Sequence, residues 1–398
     1  MREGLFARFD FSAPTPLPMT PTSLPIGIIG YRGFGAFCTE AFQEAGTGRV
    51  VAYAGRDKAA MDAVARKYGV LRTYTDWREL IIDPAVEIVH IVTPPDLHTE
   101  MALSALGAGK HVFAEKPLAT TDEDARRILD VSNKTGKLVG INYVMRYDPL
   151  YQLVAQIAQS HVLGALTHVG FENYASDEGL GDDHWFWDKT QSGGIFVEHG
   201  VHFFDIIGAI VGAGADSVLG RTWTRTDGTD KEDRVQAIVT YGNGVEASYY
   251  HAFNRPGALE KQTAHFAFER GHVTLDGWIP TTLHLSAIVS DDDLAALREL
   301  MPVTVVDDES FSGKAGRTVR GSGHNYHVRH RVHAQERLAA PTPVYKKAVG
   351  DALSDFMFAI QDPSHIRRVT AEDGARSLAV AVAARRSAET GQAVAPAL

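Results

Sequence analysis

From Pro25 onward, short apolar runs alternate with longer stretches in which apolar residues recur every three or four positions. The run PIGIIG, the turn YRGFG and the helical spacing of AFCTEAFQEAG predict strand, turn and helix in that order. The same grammar continues through the strand RVVAYAG, a helix over Ala59 to Tyr68, the strand VEIVHIV, a helix over LHTEMALSALGAG, the strand KHVFAE, a helix over TDEDARRILDVSNKTG and the strand KLVGINYV. Short apolar strands separated by amphipathic helices imply right-handed βαβ crossovers, hence a parallel sheet covered on both faces.

After Arg146 the pattern changes. A helix over Pro149 to Ser160 leads into ALTHVGFENYAS. Beyond a tryptophan-rich loop and the helix HGVHFFDIIGAIVG come the strand-like runs DSVLGRTWTRT, RVQAIVTYG, VEASYYHAF, TAHFAFER and HVTLDG. YGNGV reads as a hairpin turn in which both glycines supply positive φ. A second domain with a largely antiparallel sheet follows. The chain ends in two amphipathic helices, VYKKAVGDALSDFMFAIQ and TAEDGARSLAVAVAARRSAETG, the latter capped by Gly391. The expected organisation is an extended arm over 1–24, a first, parallel-sheet domain over 25–145 and a second α/β domain over 146–398. The stretch from Pro302 to Pro343 is less regular and carries His324, His327, His330 and His333 at three-residue spacing. That spacing suits a solvated helical face better than a metal centre, and no metal site is assigned.

Composition narrows the function. The 398 residues are 44% hydrophobic and 22% charged, with no apolar run approaching the roughly 20 residues of a membrane helix. The formal charge of −10 supplies no field to gather nucleic acid. A single cysteine, Cys38, excludes an internal disulfide and suits a cytoplasmic setting.

The glycine turn between the first strand and first helix is the first sign of chemistry. Gly30, Gly33 and Gly35 lie where backbone N–H groups and a helix N-terminus hold a pyrophosphate. Read as G-x-G-x-x-G from Gly30, the third glycine falls on Gly35, while Arg32 fills the second slot and Gly33 is displaced by one. At the end of the second strand, where a ribose-binding acid is expected, AYAGRDK offers Gly55 followed by Arg56. Lack of the acid together with a guanidinium favours NADP, with Asp57 as the alternative ribose ligand for NAD.

The ordered set GIIGYRGFG, VHIVTPPDLHTEMALSALGAGKHVFAEKPLA, INYVMRYDPLY, SGGIFVEHGVHFFD and SAETG resembles the Gfo/Idh/MocA family over nearly all of Pro25 to Gly391. The resemblance implies a Rossmann domain followed by an α/β domain whose large open sheet builds a homodimer or homotetramer, with the active site between the two. It places Lys116 of the E-K-P motif, before a commonly cis Pro117, at nicotinamide and substrate. It assigns the catalytic histidine of the D-x-x-x-H pattern to His202, with Glu198 where aspartate is usual. Thr93, Pro94, Pro95, His98 and Glu115 join Gly30, Arg32, Gly33, Gly35, Arg56 and Lys116 as candidate cofactor contacts. Arg146, Tyr147, Trp185, Trp187, Glu198, His202 and Asp205 join Lys116 as candidate substrate contacts.

Oxidising a secondary alcohol needs hydride loss from carbon and proton loss from oxygen, hence a base and a cation at one hydroxyl. His202 and Lys116 supply them. The expected activity is hydride transfer between NAD(P) and a sugar, cyclitol or related polyol. The alternatives are a tight-cofactor shuttle between two sugars and a non-catalytic nucleotide-sensing regulator.

Overall fold

The computed structural model describes residues 22–46, 48–306 and 316–397. The arm expected over 1–24 lies almost wholly outside them, as does the stretch 307–315.

The first unit runs β1 (Leu24–Ile29), α1 (Phe34–Ala45), β2 (Gly48–Ala54), α2 (Lys58–Tyr68), β3 (Arg72–Tyr74), α3 (Trp77–Ile82), β4 (Ile88–Ile91), α4 (His98–Gly107), β5 (His111–Ala114), α5 (Asp122–Thr135) and β6 (Val139–Ile141). Its sheet has the order β3-β2-β1-β4-β5-β6, and every pair is parallel. Strand order reverses between β1 and β4, which opens a crevice at the carboxyl ends of the strands. The short β3 and α3 escape the sequence pattern because three and six residues carry too little periodicity to register.

The second unit begins with α6 (Pro149–Ser160), β7 (Leu166–Ser176), α7 (Lys189–Ser192) and α8 (Val201–Val211). It continues with β8 (Ala215–Thr224), β9 (Glu232–Tyr241), β10 (Glu246–Arg255), β11 (Lys261–Phe268), β12 (Gly271–Asp276), β13 (Thr282–Val289) and α9 (Asp291–Leu300), and closes with β14 (Thr304–Val306), β15 (Arg317–Gly321), β16 (His324–Val328), β17 (His330–Arg337), α10 (Pro341–Gln361) and α11 (Ala371–Thr390). Nine strands form one sheet ordered β14-β17-β13-β12-β11-β7-β10-β9-β8, antiparallel except for β7 against β10. α8 packs its buried face on the inner side, with Phe203 stacked on Phe171 at 3.9 Å. Leu219, Trp223 and Ile238 remain exposed on the other side.

Several local expectations change. In the β9–β10 turn only Gly244 has positive φ, so one glycine rather than two makes the bend. The four spaced histidines lie on β16 and β17, not on a helix, and His330 pairs with Asp291 at 2.7 Å. The segment Lys189–Val211 is long and apolar enough to cross a bilayer, but 89% of its most apolar window is buried in the fold, as befits a core helix.

α10 packs on the first sheet. The crossovers put α1 and α2 on one face and α4 and α5 on the other, which leaves the first face bare beneath β5 and β6. α10 fills that place: Phe356 sits 5.5 Å from Phe113, and Tyr345 packs 5.5 Å from Phe37. Tyr147, just ahead of α6, donates to Asp355 of α10 at 2.6 Å.

Arg146 clamps the junction. It is buried and donates from Nε and Nη2 to the two carboxylate oxygens of Asp205, each at 2.7 Å, with Asp373 of α11 at 3.5 Å. The three residues tie the crossover, α8 and α11 together. Replacing one member of a buried pair leaves an uncompensated charge, at a cost of about 3–5 kcal/mol. Arg146→Met should therefore lower the urea midpoint sharply, and the double change Arg146→Met with Asp205→Leu should recover most of the loss.

Candidate active site

The glycine turn is shaped by contact. A Cβ on Gly30 would lie 2.1 Å from the Val92 carbonyl oxygen, and one on Gly35 would lie 1.8 Å from the Gly30 carbonyl oxygen. Gly33 differs from both: its φ is +49° and nothing stands within 4 Å of where its Cβ would be. It begins α1 with no side-chain cap, so this helix N-terminus faces open space, as a pyrophosphate site requires. Displacing the second glycine by one therefore keeps the cradle open. Arg32 pairs with Asp57 at 2.5 Å rather than standing free.

At the end of β2, a Cβ on Gly55 would meet the Tyr31 ring at 2.5 Å, so packing of Tyr31 disfavours an acidic side chain there. Asp57 accepts from Ala60 N at 3.1 Å as the cap of α2 and also holds Arg32. Arg56 beside it is exposed.

Lys116 leaves the end of β5 through a cis Lys116–Pro117 peptide. Its ammonium donates to the Glu198 carboxylate at 2.6 Å and to the Glu198 carbonyl at 2.8 Å, which leaves its third N–H for the crevice. Glu115 turns the other way: its carboxylate accepts from Asn142 at 2.9 Å and lies 3.2 Å from His90 Nε2. It braces the strand end from behind and does not orient the ammonium. Cys38, His90 and Glu115 place their ligating atoms within 4.8 Å of one another in this buried backing.

His98 sits between two carbonyls, 2.8 Å from Pro117 O and 2.9 Å from Thr93 O; burial disfavours its charged form, so its one N–H donates to one of them while the ring fills the space between the Lys116 and Thr93 turns. Pro94 and Pro95 lead directly from Thr93 into α4 on this side of the crevice.

Glu198 and His202 stand four residues apart, a spacing that a regular α-helix would set on one face. The Gly193–Gly194 bend, with φ of +80° and +85°, opens instead into a π-helical turn over Phe196–Gly200, which passes into α8 at Val201. Such turns displace side chains from the regular spiral and recur at functional sites. His202 is buried, and its pKa is pushed well below 6.5 first by that burial, then by the Lys116 charge and by His251.

Two further histidines share this environment. Burial, His251, Lys116 and His202 drive His199 well below 6.5, and burial alone takes His251 to about 3. Trp278 stacks on His199 at 5.2 Å and meets His202 edge-on at 5.7 Å. The tryptophan beside His199 and His202 is thus Trp278. Trp187 donates to Leu180 O at 3.3 Å with Arg225 over its ring at 4.2 Å, and Trp185 sits beside His184. His199 could be found as the residue after Glu198, whereas His251 on β10 and Trp278 in the turn after β12 come from distant positions that only the sheet brings together.

Arg146, Tyr147 and Asp205 are committed to the interior contacts described above. A recess of about 1000 Å³ opens against Arg146, Asp205, Tyr241 and Asp373, away from Lys116, and holds none of the catalytic candidates.

The model of the oxidoreductase family with NAD-binding Rossmann fold matches residues 24–143, and that of the GFO/IDH/MocA C-terminal domain matches residues 151–274. The chain belongs to the Gfo/Idh/MocA family. Within the family, it is 29% identical over 163 residues to scyllo-inositol 2-dehydrogenase (NAD(+)) of Bacillus subtilis, covering 41% of this chain and 46% of that one. It is 26% identical over 230 residues to D-xylose 1-dehydrogenase (NADP(+)) 2 of Haloferax volcanii, covering 58% and 70%. The chain spans about half the length of the first of these. Among solved structures, a levoglucosan dehydrogenase in complex with NADH and levoglucosan superposes with a TM-score of 0.77 at 19% identity, over 94% of this chain and 100% of that one. This last match shows the fold that these family members share.

The buried imidazoles predict an acid-sensitive fold. The unfolded chain takes up protons on histidine near pH 6.5 while the folded one does not, so stability falls as pH drops below that value, by up to about 1.4 kcal/mol per pH unit for each histidine. His251→Phe, whose ring neighbours are already Phe171 and Phe203, should reduce the slope of unfolding free energy against pH between 6.5 and 5.

Proposed function

We propose that the protein is a nicotinamide-dependent dehydrogenase that oxidises a secondary hydroxyl of a sugar, cyclitol or related ring polyol. The observation that carries this reading is the meeting of Lys116, from the switch-point crevice of the first sheet, with Glu198 on the turn that leads into His202. The relatives named for inositol, xylose and levoglucosan support it.

The open Gly33 cradle, Arg56 and the Thr93 turn are the residues that would hold the dinucleotide. When bound, the nicotinamide supplies the hydride acceptor. Lys116 holds the hydroxyl with its remaining N–H and stabilises negative charge as it develops on the oxygen. His202, neutral at physiological pH, takes the proton. Glu198 fixes the ammonium by a two-point contact, so the cation needs little reorganisation when substrate arrives.

NADP is the preferred cofactor in this reading. Gly55 leaves no room for the ribose-binding acid, Asp57 is occupied, and Arg56 offers a bidentate partner to a 2′-phosphate. A second copy of the chain is proposed to cover the outer sheet face around Leu219, Trp223 and Ile238.

Fluorescence titration with both nucleotides should show tighter binding of NADP. Arg56→Ala should cost it about 1.5–3 kcal/mol while barely changing NAD; tighter binding of NAD by the parent would refute the preference.

Lys116→Met should lower kcat by about a hundredfold or more with nucleotide binding intact. The acid limb of the kcat/KM profile should fall well below pH 6.5. If His202→Ala preserves both rate and profile, His202 is structural and the proton goes to Lys116.

A further inference from the structure

We propose that His199 is a substrate-contacting residue beside Lys116, one that selects rings carrying a hydroxyl next to the one oxidised. The inference rests on the dehydrogenase reading above and deepens it. His199 follows Glu198 directly, and the carbonyl that accepts from Lys116 at 2.8 Å belongs to the peptide joining the two. His199 and His202 also share one wall, with Trp278 5.2 Å from the first ring and 5.7 Å from the second.

The two rings are held alike. They are 7% and 5% exposed, and His199 Nε2 and His202 Nδ1 are buried without a hydrogen-bond partner. The opposite nitrogen of each ring, His199 Nδ1 and His202 Nε2, is absent from the buried unpartnered atoms and has no protein partner, so it lies at the accessible edge. Packing alone fixes His199: Trp278 stacks on one face, and Phe253 and His251 meet it edge-on at 5.0 and 5.2 Å. A neutral imidazole offers one donor and one acceptor, and this ring spends neither on protein.

The accessible ring nitrogen, which has no protein partner, is left to meet a ligand hydroxyl. Set side by side along Trp278, the two imidazoles can be met by two neighbouring ring hydroxyls. With one hydroxyl at Lys116 and His202, the next falls to His199, and the Trp278 face beside it suits the apolar side of a sugar ring. An uncharged imidazole also favours a hydroxyl over a phosphate or carboxylate at this position.

The test compares the parent with His199→Phe, which keeps the stack and removes both nitrogens. The probes are myo-inositol, levoglucosan and D-xylose, each with its analogue lacking the hydroxyl beside the oxidised carbon. With NADP in excess, the parent should reject the deoxy analogue by about tenfold or more in kcat/KM. The variant should lose that discrimination and raise KM for the full polyol by about tenfold, more than it lowers kcat. NADP binding, followed by fluorescence, should not move. Should His199→Phe fail to fold, His199→Gln is read by the same discrimination ratio, which it should partly retain. Turnover by the parent with discrimination unchanged in the variant would overturn the His199 subsite alone. Failure of the parent on all three polyols would overturn the functional reading and the subsite with it.

Discussion

The ion pair between Lys116 and Glu198 defines the crevice. A lysine at the end of a buried parallel strand, with its side chain only 15% exposed, needs an anion within reach. That anion comes from the other domain, 82 positions along the chain, and it offers both a carboxylate and a main-chain carbonyl. Loss of either contact would change where the ammonium stands, and with it the charge felt by His199 and His202.

The surroundings divide labour by distance from that charge. Behind the lysine, Glu115 with His90 and Asn142 braces the strand end, and His98 fills the space between two turns, so polar groups that look catalytic in sequence act as scaffold. In front, burial and the ammonium act in the same direction on His199 and His202, and both remain bases. The arginine–aspartate clamp ties the crossover to α8 and α11 without entering the crevice.

Much of this was legible before any coordinates. The βαβ pattern, the later strands and the terminal helices followed from apolar period, and Lys116, Glu198 and His202 from motifs in order. Other features were hidden for physical reasons. β3 and α3 are too short to show a period, and nothing in local sequence distinguishes an arginine that binds substrate from one that, like Arg146, finds Asp205 inside the protein. The histidines at three-residue spacing misled because a β-strand pairs residues by register across the sheet, which a one-dimensional spacing does not record. His251 and Trp278 reach the site only through the order of nine strands. The π-helical turn after Gly193–Gly194 was equally invisible, since its extra residue per turn is a choice of packing rather than of residue type.

The position of α10 bears on how the chain is made. A ribosome that has released β1 through β6 has delivered every strand of the first sheet, yet the helix that seals the β5–β6 end, with Phe356 on Phe113, is still unmade. The Rossmann half therefore waits with an apolar face uncovered while the entire second sheet is synthesised. Its final packing has to await a helix that follows the second sheet in the chain.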